Sequence, residues 1–104
     1  LFGLRRIAAG EFAVVAIRIV MSGRVQGVGF RAWAERRARE RGLSGWIRNL
    51  RDGTVEAVFS GDDGRVDTMI DLCRSGPPHA RVEVLERYET EPPPFPGFQI
   101  RRSD

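Results

Sequence analysis

The chain has 104 residues, with fourteen acids, seventeen basic residues that are all arginine, a single histidine and a single cysteine, for a formal net charge of +3. That length makes one domain with one core, and the lone Cys73 can form neither an internal disulfide nor a cysteine zinc site, so a reducing, cytoplasmic setting is expected. With no lysine the nucleoside-triphosphate P-loop is excluded, because it needs Gly-Lys followed by Ser or Thr; no run reaches the ~18 apolar residues of a membrane span, and Phe12 to Met21 is interrupted by Arg18.

In chain order, residues 1–12 carry Arg5 and Arg6 ahead of a short Ala-Ala-Gly stretch and read as a flexible N-terminal extension, which leaves the domain at residues 13–104. From Ala13 to Met21, Val15, Ile17, Ile19 and Met21 alternate as one face of a buried strand. A loop follows from Ser22 to Phe30. Arg31 to Arg41 predicts the first helix, with Phe30, Trp33, Ala34, Ala38 and Leu43 as its inward stripe and Gly42 as its stop. The charges of Glu35 to Arg41 read as a solvated helix face, not a nucleic-acid stripe.

Gly45 to Leu50 predicts a second strand, Arg51-Asp52-Gly53 a hairpin turn, and Thr54 to Ser60 a third strand with Val55, Ala57 and Phe59 on one face. After a Gly61–Gly64 loop, Val66, Met69, Ile70 and Cys73 fall at i, i+3, i+4 and i+7 and define an amphipathic second helix, so Cys73 belongs to the core. Ser75-Gly76-Pro77-Pro78 ends it. Arg81 to Tyr88 reads as a fourth strand, and a proline-rich turn at Pro92 to Pro96 leads to a short last strand at Phe98 to Arg101. The order βαββαβ with a terminal strand predicts an α+β fold, a ferredoxin-like α/β sandwich with both helices on one face of a mainly antiparallel sheet.

The most informative segment is Gly23 to Arg31, GRVQGVGFR, between the first strand and the first helix. Its three glycines let the backbone fold back toward a ligand, and the helix N-terminus and an arginine add positive potential, which is the layout of an anion cradle. The glycine spacing is G-x-x-x-G-x-G, not the dinucleotide G-x-G-x-x-G. A phosphate-like group is the expected ligand.

Hydrolysis also needs a group that aligns water. Asn49, the only asparagine, stands at the end of a strand beside a tight turn, and its amide can both accept from and donate to a water. An amide cannot serve as a general base. A substrate whose leaving group departs unprotonated needs only positioning and charge stabilisation, and carboxyl phosphates meet that condition.

GRVQGVGFR at 23–31, GLSGWIRN at 42–49, DGTVE at 52–56, GPPHARV at 76–82 and FQIR at 98–101 together resemble the acylphosphatases, small enzymes that hydrolyse the carboxyl-phosphate bond, from about Ala16 to Arg101. The resemblance implies that Arg31 is the catalytic arginine closing the phosphate loop and Asn49 the water-orienting residue. It implies further that loop amides within Val25, Gln26, Gly27, Val28, Gly29 and Phe30 bind phosphate, and that the bound phosphate helps take the water's proton. No metal, no organic cofactor and no nucleic-acid or membrane partner is expected. A small acyl phosphate is the implied substrate, inorganic phosphate the product and a competitive inhibitor, and the protein a monomer.

Gln26 has two readings, lining the loop or bracing the turn. His79, beside two prolines, reads as structural or solvent-facing, and Trp33 and Trp46 as core or rim packing. Similar domains begin the much larger hydrogenase-maturation carbamoyltransferases, whose zinc-finger and transferase parts this chain lacks, so a freestanding enzyme is expected. The alternative from another class is a non-enzymatic ferredoxin-like module that binds RNA or an effector. Such RNA-binding sheets present aromatics on central strands; Val15 to Met21 offers none and the third strand only Phe59.

Overall fold

A computed structural model describes residues 14–104, so the expectation of a flexible extension over residues 1–12 lies outside the described residues. The elements run β1 (Val14–Arg24), α1 (Phe30–Glu40), β2 (Ser44–Asn49), β3 (Val55–Asp62), α2 (Asp63–Ser75), β4 (Arg81–Glu89) and β5 (Phe98–Ile100). The sheet order is β4-β1-β3-β2-β5. Every pairing is antiparallel except that of β2 with β5, so the sheet is mixed.

Two helices pack on one face of this sheet, α1 over β2 and β5 and α2 over β3, β1 and β4, which is the ferredoxin-like α+β arrangement. The alternation expected for β1 places Val15, Ile17, Ile19 and Met21 in the core, and the helical spacing of α2 buries Val66, Met69, Ile70 and Cys73 against them. Burial pushes the Cys73 thiol up to about 12, so it stays protonated and inert at neutral pH. Phe59 of β3 stacks on Phe98 of β5 at 5.4 Å, tying the short edge strand to the core.

Several boundaries differ from the sequence reading. β1 runs on to Arg24 because β4 pairs with it through a bulge at Ser22/Gly23, so the connecting loop is shorter than Ser22–Phe30. Phe30 is the first residue of α1, its ring buried and set edge-on to Trp33. No four-residue loop separates β3 from α2. Asp62 ends the strand and caps the helix at once, its carboxylate accepting from the Arg65 N–H at 3.1 Å. At the other helix, the Leu43 N–H donates to Ala38 O and the Gly42 N–H to Arg39 O, closing α1 as a Schellman turn at the expected stop.

Among the described residues, no helix covers the second face of the sheet. There Glu56 of the central strand accepts from Arg18 and Arg48, and the guanidinium of Arg18 lies 4.6 Å from the Tyr88 ring centroid. Those of Arg48 and Arg101 lie over Trp46 at 5.3 and 4.7 Å. Glu56 is 8% exposed and is satisfied by these two partners.

Candidate active site

β1 ends at Arg24, Val25 inserts its side chain into the core, and the chain turns through Gln26 to Gly29 into α1. Gly27 and Gly29 have φ of 75° and 78°, in the left-handed region that L side chains avoid. These positions are glycine for backbone reasons, since a Cβ at either would meet nothing within 4 Å.

Gly29 is the N-cap of α1 and supplies no side-chain cap. The first intrahelical bond runs from the Trp33 N–H to Gly29 O at 3.1 Å, which leaves the N–H groups of Phe30, Arg31 and Ala32 without helical partners. The first turn holds no acid; it holds Arg31. Positive charge at a helix N-terminus opposes the macrodipole, so this end is one that a bound anion would stabilise. The other helix makes the contrast within the same molecule, with a capping Asp62 and an acidic Asp63 in its first turn. Among the described residues, no carboxylate forms an ion pair with Arg31.

Asn49 reaches the same place from the sheet. Side chains alternate along β2, so Asn49 shares the helix-facing side with Ile47, which is buried under the helices. Two residues further on, the strand has passed the core and Asn49 emerges half-buried beside the α1 N-terminus. The result is a cavity of about 180 Å³ lined by Val25, Gly27, Gly29, Phe30, Arg31, Ala32, Asn49 and Ile100. This is smaller than the roughly 300–1,000 Å³ of drug-sized ligand sites and suits a small anionic group. A larger open cleft of about 530 Å³ lies elsewhere, between the C-terminal end of α1 and the Pro96–Gln99 segment, and contains none of the expected site residues.

Of the residues expected from sequence, Arg31, Asn49, Val25, Gly27, Gly29 and Phe30 therefore share one cavity. Gln26 and Val28 do not line it. Val28 packs against the core, and the Gln26 amide bonds to the β2–β3 turn. His79 is solvent-exposed in its loop. The cavity gains Ile100, which sequence reasoning missed: β5 adds parallel to β2 with Ile100 opposite Ile47, so its side chain comes close to Asn49. A short terminal strand carries no sequence signal for which neighbour it joins.

Residues 17–100 match the sequence profile of the family described as Acylphosphatase. The acylphosphatase of Azorhizobium caulinodans is 53% identical over 85 residues, covering 81% of this chain and 91% of that protein. The structure of an acylphosphatase from Coxiella burnetii superposes with a TM-score of 0.80 at 33% identity, covering 85% of this chain and 93% of the other. The crystal structure of T. kodakarensis HypF is also similar, at 37% identity and a TM-score of 0.73, over 84% of this chain but only 12% of HypF. Motifs, fold and relatives agree, and the chain belongs to the acylphosphatase family, an enzyme that hydrolyses acyl phosphates.

Proposed function

We propose that this enzyme holds the phosphoryl group of a small acyl phosphate with the backbone N–H groups of residues 25–30 and the Arg31 guanidinium, while Asn49 aligns the attacking water. The observation that carries this reading is the cavity shared by Arg31, Asn49 and the uncapped α1 N-terminus. Water attacks phosphorus, the bond from phosphorus to the acyl oxygen breaks, and a carboxylate leaves. Because carboxylates have pKa values near ~4, the leaving group needs no proton and no general acid is required. The water's proton passes to a phosphoryl oxygen, and the products are carboxylate and inorganic phosphate. Negative charge on the phosphoryl oxygens is met by the backbone N–H dipoles of the loop and helix start and by a guanidinium, and such charge stabilisation is the main source of acceleration in this transfer.

Turnover is proposed to need no metal and no organic cofactor. The domain is proposed to span residues 13–104 and to act as a monomer in the cytoplasm, in keeping with a single buried cysteine. Among the described residues no helix is long and apolar enough to cross a membrane, which does not bear on β-barrels. The RNA-binding alternative is not favoured. On the open sheet face Trp46 and Tyr88 already carry guanidinium groups against their rings, and Phe59 points into the core.

The test is hydrolysis of benzoyl phosphate with EDTA present. Arg31→Ala is expected to lower kcat/KM by about 10³-fold and to abolish phosphate binding. Asn49→Ala is expected to lower kcat by about 10²-fold with phosphate binding retained. Wild-type rates in both variants would overturn the assignment, and loss of turnover in EDTA would overturn its metal-free part.

A further inference from the structure

Gln26 stands inside the phosphate loop, yet its side chain points away from the cavity. Its Nε2 donates to Leu50 O at 2.8 Å and to Thr54 O at 2.9 Å, the two carbonyls at the base of the β2–β3 turn. Both N–H groups are thereby used, and none is left for a phosphate oxygen.

The two carbonyls do not need Gln26 in order to form the turn. Thr54 O already accepts from the Leu50 N–H at 2.9 Å, and Leu50 O from the Gly53 N–H at 3.1 Å. Gln26 occupies the second lone pair of each. What its amide adds is a connection across 24 and 28 residues between the loop leading to Arg31 and the hairpin whose first strand ends in Asn49. Two bonds from one planar amide fix both the separation and the orientation of these segments. A single bond would leave a hinge.

We infer that Gln26 is a positioning residue, stapling the anion cradle to the hairpin so that the water held by Asn49 lies in line with the phosphorus held by the loop. The inference rests on the roles proposed above for Arg31 and Asn49. The cradle amides and Arg31 belong to one continuous segment, so loss of the staple leaves anion capture in place and misaligns water. Displacements of about 1 Å between reacting groups cost up to roughly 10²-fold in rate.

The experiment measures kcat, KM and the inhibition constant of inorganic phosphate for wild type, Gln26→Ala and Gln26→Glu with benzoyl phosphate. Gln26→Ala is expected to lower kcat by about 10-fold or more, while the phosphate constant stays within about twofold. Gln26→Glu keeps the shape but sets a carboxylate against two carbonyls; it is expected to be worse than Ala at neutral pH and to regain only part of its kcat as the pH falls, because the protonated carboxyl offers one donor where the amide has two. Urea midpoints measured over the same pH range separate this from a folding role, in which activity would follow the folded fraction and kcat per folded molecule would stay at the wild-type value. A phosphate constant that weakens in step with an unchanged kcat, or unchanged kinetics in both variants, would overturn the proposal. So would rapid solvent exchange of the Gln26 amide protons in wild type, a measurement independent of whether either variant folds. Arg31→Ala and Asn49→Ala, run alongside, report on the underlying assignment: if they retain activity it is that assignment which fails, and if they lose it while the Gln26 variants do not, only the staple fails.

Discussion

Arg48 Nε donates to Glu56 Oε1 at 2.8 Å across the β2–β3 pair, one residue before Asn49, and Arg18 Nη1 donates to the other carboxylate oxygen at 3.1 Å. One carboxylate on the central strand thus joins three strands on the open face, and the strand end that presents Asn49 is held from behind. The side chain of Glu56 is 10% exposed, against 36% for Arg18, so the carboxylate bears most of the desolvation.

Replacing Glu56 by Ala leaves two guanidinium groups facing each other without their shared acceptor. The expected cost is about 2 kcal/mol of stability, the scale of hydrogen bonds to charged groups, and it should be smaller at high salt because both arginines reach solvent. Urea denaturation of the variant at low and high ionic strength measures it. A variant as stable as wild type at low salt counts against a structural role for this network.

Inorganic phosphate should bind the cradle and so stabilise the native state. At ten times its dissociation constant the gain is about 1.4 kcal/mol, equivalent to a rise in Tm of roughly 6–11 °C for a domain of this size. Thermal melts in phosphate and in chloride of equal ionic strength separate binding from screening. The rise should vanish in Arg31→Ala and persist in Asn49→Ala; an equal rise in all three proteins would place the anion elsewhere.

Gly29 caps α1 with φ of 78°. Ala at this position should cost about 1–2 kcal/mol through the left-handed backbone alone, since a Cβ there meets no neighbour, and Asn should cost less because it tolerates that conformation. Denaturation midpoints for Gly29→Ala and Gly29→Asn test the order. Equal losses in the two would mean that steric crowding, not φ, sets the requirement.

The hairpin turn carries a pH signature. Thr54 Oγ1 donates to Asp52 Oδ1 at 2.6 Å and the Thr54 N–H to the same oxygen at 3.0 Å, and these bonds, the hydroxyl first, hold the Asp52 carboxyl below its ordinary value of 3.8. A depressed folded pKa means that the contribution to stability is complete above 3.8 and is lost as pH falls through the lower folded value. Carbon-detected NMR titration should find the Asp52 midpoint below 3.8, and Thr54→Val should move it upward. A wild-type midpoint at or above the ordinary value would contradict this reading of the turn.

Much of this protein is legible residue by residue. The two-residue alternation of Val15 to Met21, the helical spacing of Val66 to Cys73 and the Asp-Gly turn are local properties, and each appears in the fold where the sequence implies it. So is the turn into α1, where Gly27 and Gly29 stand just ahead of the helix start and both take positive φ in the fold. Element ends were less legible. The extension of β1 to Arg24 and the abrupt passage from β3 into α2 depend on a partner strand and on a cap that takes the place of a linker.

The sequence by itself determined which segments become strands and helices, which glycines turn the loop, and which arginine and asparagine are candidates for chemistry, because those features follow from backbone conformation and side-chain period over a few residues. Tertiary structure alone decided that β5 lies parallel beside β2 and brings Ile100 to the cavity, that Glu56 bridges Arg18 and Arg48, and that the Gln26 amide is spent on the hairpin carbonyls. Each of these joins groups far apart in the chain, and their proximity follows from the sheet order that buries both helices on one face, a global requirement that no local stretch of residues encodes.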